Sequence, residues 1–524
     1  MPVFGTILQK AIQTIDKTAE RTARIIRPRS PYLMQKKTFS KLITKAQFTS
    51  FGQTYHFTEI LNNFHLGKGK DYYKLFKEHV PIFTYDKIYK EWWHRTKTGE
   101  ADVCWPGKVK FFALSSGTSE SASKYIPITK NMSKAIQKAS ISQIISLAHF
   151  HDLPPELFQA GMLMLGGSTN LRRMTSYYEG DLSGISAKQL PFWFQHFYKP
   201  GKKIARHTDW EKKIQEIVLE APNWDIGFIV GSPVWLLILV EKIVEYYKVP
   251  HIHEIWKNLL VIGHGGVSIE PYRRSFEKLM GRPVHFIDTY LASEGFIAYQ
   301  NRPDTRGMKM VLDNGIFFEF IPFTEENFDS EGNLTENPET LTIDQVIEGE
   351  EYALLMSTCA GAWRYLIGDV IKFTDKSLAE IVITGRTKHY ISLTGEHLSV
   401  ENMNQAIEQV SEEFNITIKE FAVAGIPHGS LFAHQWYIGT DTKIDANLLA
   451  EKIDNALKVL NDDYATERTA ALKDVYVKVL PVQTFYDWMK TKGKIGGQHK
   501  FPRVLKKNVF QEFEDFIKKN EQLT

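Results

Sequence analysis

Residues 226–240 read IGFIVGSPVWLLILV, fifteen positions without a charge, bounded by Asp225 and Glu241. The run is too short to cross a bilayer, which takes about 20 residues, and Gly231, Ser232 and Pro233 break it near its middle. It reads as a strand, a turn and a buried helix over about Val234–Tyr247. The same alternation continues on both sides. Towards the N-terminus lie VKFFAL from Val109, a helix-like stretch from Ser133 to Phe150, and MLMLGG; towards the C-terminus lie LLVIGHGG and a helix from about Ile269 to Met280. Ser268 is a natural N-cap for that last helix and Gly281 a natural stop. Strands interleaved with helices predict an α/β architecture.

Further out the pattern changes. Residues 1–50 read as mainly helical. From Gly315 to Thr374, GIFFEFIP, EEYALLMST and DVIKFT are strand-like runs separated by polar loops, which predicts antiparallel pairing. After IVITGR a smaller mixed unit begins: a Ser399-capped VENMNQAIEQV, the strands FAVAGI and QWYIGT, an amphipathic helix over about Ala446–Leu460, and VYVKVL. The boundary falls near residue 385, giving domains 1–385 and 386–524.

Composition narrows the function classes. The chain has 524 residues, and domains of about 100–200 residues predict two to four units. Its 64 basic and 61 acidic residues give a net charge of +3, with 43% hydrophobic residues. That excludes a disordered chain and disfavours a nucleic-acid partner, which calls for a strong basic excess. Two cysteines, Cys104 and Cys359, cannot build a disulfide scaffold or a four-thiolate zinc site and suit a reducing cytosol, so a cytoplasmic location is expected. The start, MPVFGTILQKAIQTIDK, lacks the charged and apolar regions of a signal peptide, and no transmembrane segment is indicated. Residues 21–45 carry eight Lys or Arg and no acid. They read either as a contact with an anionic membrane or polyanion, or as a solvated helix and loop facing acids elsewhere in the fold.

Several constellations can carry chemistry. Directly after VKFFAL come Ser115, Ser116, Gly117, Thr118, Ser119, Glu120, Ser121, Ala122, Ser123 and Lys124. Hydroxyls and backbone N–H groups in a turn suit phosphate oxygens, with an ammonium nearby. The run does not fit the Walker A pattern, and a serine-rich surface turn is the plain alternative. Asp288-Thr289-Tyr290-Leu291-Ala292-Ser293-Glu294-Gly295 follows VHFI. Here Tyr290 offers a stacking face and Glu294 a carboxylate for a hard cation such as Mg²⁺; a core tyrosine and a solvated glutamate are the alternative. Trp363-Arg364-Tyr365-Leu366-Ile367-Gly368-Asp369 precedes VIKF. Gly-Asp is a common turn, and Asp369 is also suited to accept both hydroxyls of a ribose. Gly385-Arg386 through Gly395-Glu396 lies at the domain junction. The basic, glycine-rich run from Lys492 to Arg503 is either a mobile loop delivering a cation or a solvated turn. His149, His151, His251, His253 and His264 lack zinc-site spacing, and no Gly-x-Ser-x-Gly elbow marks a hydrolase.

The order of these signals resembles the adenylate-forming superfamily, and their wording is closest to one branch, the plant auxin-responsive Gretchen Hagen family and its bacterial relatives, the acyl acid amido synthetases. SSGTSES-x-x-K is similar to that family's first nucleotide motif. Tyr290 to Glu294 matches its Tyr-x-x-Ser-Glu, Tyr365 to Asp369 its Tyr-x-x-Gly-Asp, and QHKFPR its late Gln-x-Lys-x-Pro-Arg. The flanking DVCWPGKVKFFALSSGTS and YIPIT resemble the bacterial relatives. Three positions depart from the pattern: Ser121 replaces a glycine, Leu366 takes an arginine slot although Arg364 lies two residues earlier, and His397 falls about where plant members carry a lysine.

The resemblance implies a large N-terminal ATP- and acyl-binding domain, β-sheets flanked by helices plus a small β-barrel-like region, followed by a smaller mobile α+β C-terminal domain. It implies adenylation of a carboxylic acid by ATP with Mg²⁺, then conjugation to an amine, typically of an amino acid, with release of AMP. Catalytic roles fall on Lys500 and Glu294, the latter also holding the metal. ATP binding falls on Ser115, Ser116, Gly117, Thr118, Ser119, Lys124, Tyr290, Ser293, Asp369 and Arg386. An acyl-CoA synthetase, or a non-catalytic nucleotide- or acid-binding homologue, are the alternatives.

Overall fold

The computed structural model describes residues 30–65, 72–118, 121–191, 194–329, 332–388, 390–396, 398–492 and 501–521. The chain divides into two compact units, Met1–Leu114 with Tyr125–Thr387, and Ser115–Lys124 with Lys388–Thr524.

The first unit is built on an eleven-stranded mixed sheet. Tyr198–Lys199, Gly161–Leu165, Ile226–Gly231, Val261–His264 and His285–Ala292 lie side by side in parallel. The central strands Ile226–Gly231 and Val261–His264 are the most buried, as expected where helices cover both faces of a parallel sheet, while His285–Ala292 is only partly buried. The stretch 226–247 folds as its sequence predicts: strand Ile226–Gly231, a break at Ser232, and helix Pro233–Tyr247 with Val234–Val240 buried throughout. His285–Ala292 is the turning point. Its first half pairs in parallel with Val261–His264, and its second half pairs antiparallel with Gly295–Tyr299. The sheet then continues through Met308–Met310, Glu380–Arg386, Tyr365–Asp375, Glu351–Thr358 and Ile316–Pro322, all antiparallel.

Helix ends differ slightly from expectation. The helix expected from Ser133 begins at Lys130, because the Thr129 hydroxyl accepts from Met132 N at 3.1 Å and so caps an earlier turn. Ser268 is not the N-cap of the next crossover helix: Glu270–Leu279 starts after Ile269, and the Ser268 hydroxyl accepts from Glu270 N at 3.3 Å. Of the expected N-terminal helical region, Pro31–Ala46, Ser50–Thr54 and Phe57–His65 are helical, and residues 1–29 lie outside the described residues. Pro31–Ala46 packs Phe39 against Phe317, with ring centroids 4.9 Å apart. Gln35 fixes the register: its amide donates to Leu312 O and Ile316 O and accepts from Phe318 N.

The second unit has a three-stranded sheet, Glu420–His428, Leu431–Gly439 and Leu472–Leu480, antiparallel then parallel. Side chains alternate between its faces. Phe421, Val423, Trp436 and Ile438 pack with helices Val400–Phe414 and Ala446–Leu460, while Ala422, Ala424 and Tyr437 pack with Val482–Thr491 and Lys507–Glu521. Ser399 caps the first of these helices in a reciprocal capping box with Asn402.

A buried hydrogen-bonded pair ties this unit together. His434 Nε2–H donates to Glu396 Oε1 at 3.0 Å, and both side chains are fully buried. Burial alone would push the Glu396 carboxyl up. The His434 bond and charge, with N–H donation from Leu393, Thr394 and Gly395, outweigh it and hold the carboxyl down at about 2. A carboxylate depressed on folding stabilises the fold above its unfolded pKa, about 4.3, and this contribution fades as pH falls towards 2. Thermal melts of the full chain should therefore lose stability across that window, and Glu396→Gln should flatten this part of the profile. His434→Ala removes the buried hydrogen bond to Glu396 and should cost about 1–3 kcal/mol. An unaltered acid profile in Glu396→Gln would refute the assignment.

Candidate active site

The antiparallel half of the first unit brings several motif residues together. Asp369 does not sit in a turn ahead of a strand. Strand Tyr365–Asp375 runs through Gly368 and Asp369, with Asp369 opposite Arg386 in the ladder and a register shift just beyond, between Val370 and Ile371. Gly368 has φ +91°, a conformation that side-chain-bearing residues rarely adopt, so glycine is required for this local deformation. Likewise, Tyr290 does not follow its strand but lies inside His285–Ala292, and Ser293 and Glu294 form the turn into Gly295–Tyr299.

The Tyr290 hydroxyl donates to Asp369 Oδ2 at 2.5 Å, and Arg386 Nε pairs with Asp369 Oδ1 at 2.8 Å. Arg386 Nη2 also donates to Ile367 O at 3.2 Å. In sheet order three strands separate those carrying Tyr290 and Asp369. A flat sheet with strands about 4.8 Å apart would hold them roughly 19 Å apart. The sheet therefore curls towards closure, the barrel-like feature expected from the family resemblance, and aims both side chains inward.

A second inward contact runs beside the first. Tyr365, on the same strand as Asp369, donates its hydroxyl to Glu294 Oε1 at 3.1 Å, and both residues are buried. Burial raises the pKa of both tyrosines, and Asp369 beside Tyr290 and Glu294 beside Tyr365 raise them further. Both hydroxyls stay protonated and act as donors that fix carboxylates. Tyr290 itself is only 6% exposed and packs in the main core of the unit.

The donor chemistry fits a nucleotide. A carboxylate offers about four acceptor positions. Tyr290 and Arg386 take one on each Asp369 oxygen, leaving one on each oxygen for a diol. Among the described residues no group of three or more His, Cys, Asp or Glu could hold a metal alone. Glu294 could offer one carboxylate to a Mg²⁺ that takes its other ligands from substrate phosphates and water. At the switch strand, a Cβ on Gly265 would stand 2.3 Å from Thr289 O, so the glycine loop after Val261–His264 passes directly against the motif strand. Ligands of open α/β sheets bind beyond the carboxyl ends of parallel strands at such points. His264, there, is 4% exposed, and burial with the nearby Arg273 charge pushes its pKa down to about 4. It is neutral at pH 7.

Other motif residues fall elsewhere. Ser115, Ser116, Gly117 and Thr118 prolong the strand Phe111–Thr118, and Lys124 stands in Ser121–Ile128; the hydroxyl-rich run is mostly strand rather than turn. Ser119, His397 and Lys500 lie outside the described residues. Arg364 does not take over from the arginine missing at Leu366. Its guanidinium is buried, pairs with Glu319 at 2.9 Å, and donates to Val80 O and Thr340 Oγ1. Beyond Lys500 the chain is anchored: Phe501 is buried, and Arg503 pairs with Glu420 at 2.7 Å over the Phe421 ring. The role of Tyr365 in holding Glu294 went unassigned in the sequence, although the residue opens the Tyr-x-x-Gly-Asp motif.

This fold is that of the adenylate-forming enzymes. The structure is similar to GH3.15 acyl acid amido synthetase (TM-score 0.55, 14% identity, 92% of this chain and 93% of that one). It is also similar to 2-hydroxyisobutyryl-CoA ligase in complex with 2-HIB-AMP and CoA (TM-score 0.58, 11% identity, 93% and 92%). The sequence matches the GH3 family N-terminal domain over residues 29–174, the central domain over 309–386 and the C-terminal domain over 401–509. The chain belongs to the GH3 family, the auxin-responsive group anticipated from its motifs. Among curated relatives, the indole-3-acetic acid-amido synthetase GH3.2 of Arabidopsis thaliana is 23% identical over 171 residues, 31% of each chain. The jasmonoyl–L-amino acid synthetase JAR4 of Nicotiana attenuata is 36% identical over 108 residues, 20% of this chain and 18% of that one. The matched segments span less than a third of the length of these relatives. Among the described residues no helix is long and apolar enough to cross a membrane.

Proposed function

We propose that this protein is an ATP-dependent acyl acid amido synthetase. A carboxylate attacks the α-phosphorus of ATP, pyrophosphate leaves, and an acyl-adenylate forms. An amine, in this reading that of an amino acid, then attacks the acyl carbonyl, and AMP leaves. The observation that carries the reading is the inward carboxylate of Asp369, held by Tyr290 and Arg386 within the nucleotide motifs of a GH3 chain.

The first step joins two anions, so it needs neutralisation and in-line alignment. In this reading Asp369 accepts the ribose hydroxyls, and Arg386 fixes the carboxylate that does so. Tyr290 orients Asp369 through its hydroxyl, while its ring stays packed in the core. Ser115, Ser116, Thr118 and Ser119 donate to phosphate oxygens, with Gly117 allowing close approach and Lys124 adding charge; Ser293 lies beside the metal ligand. Mg²⁺, held by Glu294 and phosphate oxygens, would neutralise charge as the phosphates separate. Lys500 places an ammonium by the α-phosphate. Residues 1–385 form the ATP- and acyl-binding part, and a hinge near Arg386 lets residues 386–524 reorient between half-reactions. The stretches DVCWPGKVKFFALSSGTS and YIPIT favour a bacterial branch, and two free buried thiols, Cys104 and Cys359, suit the cytosol.

The acceptor is tested by offering pooled amino acids and CoA together to the pre-formed adenylate and weighing the product. An amide is expected; a thioester as the sole product would make the protein an acid–thiol ligase.

A further inference from the structure

The N-terminal helix carries a surface that the catalytic reading does not use. Helix Pro31–Ala46 buries Gln35, Thr38, Phe39, Leu42, Ile43 and Ala46 on one side. At 3.6 residues per turn, Leu33, Lys37, Lys41, Thr44 and Lys45 share an arc of about 120° on the other, and all are exposed. Leu33, near one end of that arc, is 60% exposed, and Phe48, just past the helix, is 74% exposed, matched among the described residues only by Val459. Leu33 and Phe48 are both large apolar side chains left in water, which is costly.

The charges are not neutralised locally. Residues 21–45 contain no acid. Among the described residues no carboxylate forms an ion pair with Lys37, Lys41 or Lys45, and Lys45 instead lies 5.7 Å over the Trp105 ring. The helix is solvated along this face, as one of the two readings of the sequence expected, and of that basic segment residues 21–29 lie outside the described residues.

We propose that this face docks the protein reversibly on an anionic phospholipid surface, the lysines meeting headgroup phosphates while Leu33 and Phe48 enter the boundary with the acyl chains. The pairing of charge with apolar anchors selects this partner. The helix's apolar face is used by the core, so attachment would rest on the lysines and on single apolar anchors, whereas a nucleic-acid backbone would engage the lysines and leave Leu33 and Phe48 in water. Basic side chains near an anionic bilayer each strengthen binding by about fivefold, and the attraction falls with salt.

Cosedimentation of the full-length protein with vesicles tests this. Binding is expected with equal parts phosphatidylglycerol and phosphatidylcholine, with little on phosphatidylcholine alone. Lys37→Glu/Lys41→Glu should weaken it about twentyfold or more, and Phe48→Ser should weaken it at unchanged charge. Both variants should keep the melting temperature and the ATP–pyrophosphate exchange of the parent. Equal binding by the charge-reversed protein, absence of binding to anionic vesicles, or binding of a duplex DNA that Phe48→Ser leaves untouched would each overturn the proposal.

Discussion

Asp369→Ala is expected to lower ATP–pyrophosphate exchange by about 10²–10³-fold. The substitution removes the proposed ribose acceptor and strips two groups of their partner. The Tyr290 hydroxyl, buried in the core, is left without an acceptor, and Arg386 loses its carboxylate. An orphaned buried donor costs about 1–3 kcal/mol, so the melting temperature should fall as well. Tyr290→Phe separates the two effects. It keeps the ring and the carboxylate and removes only the short hydrogen bond, so exchange should fall about tenfold or less. Full exchange in a folded Asp369→Ala protein would reduce the cluster to a structural clasp.

Lys500→Ala is expected to cost a similar 10²–10³-fold in adenylation, with a different signature. Charge neutralisation at the α-phosphate acts as pyrophosphate leaves, so ATP binding should stay nearly intact. Conjugation of a supplied acyl-adenylate should proceed at the parental rate, because no pyrophosphate leaves in that step. The residues just after it make the variant readable. Phe501 packs between Trp488 and Phe513, and Arg503 is pinned to Glu420, contacts that the substitution does not touch. Undiminished exchange would remove Lys500 from the mechanism.

Local sequence carried much of this architecture. The break at Gly231-Ser232-Pro233 is where strand gives way to helix, and Ala446–Leu460 is helical over the expected span, capped by Asp445. Where the burial pattern repeats at 2 or 3.6 residues, neighbours in the chain decide the element. What sequence did not convey depends on distant partners. Gly368-Asp369 has the composition of a turn, yet ladder partners on Glu380–Arg386 hold it in a strand, and glycine provides the kink. Arg364 looked available as a stand-in for the missing arginine of the motif. Only the fold places Glu319, 45 residues earlier in the chain, against its guanidinium. The motifs announced Tyr290, Glu294 and Asp369, but their inward convergence follows from the curl of the sheet, which no local signal encodes.

The central claim is that a carboxylic acid and ATP are made to react here, and exchange of labelled pyrophosphate into ATP reads that reaction directly. Across a panel of aryl, indole and fatty acids, exchange should be absent without acid and appear with those that fit the acyl site. Tight ATP binding with no exchange for any acid would contradict the account and leave a nucleotide-binding protein that has kept the fold without its chemistry.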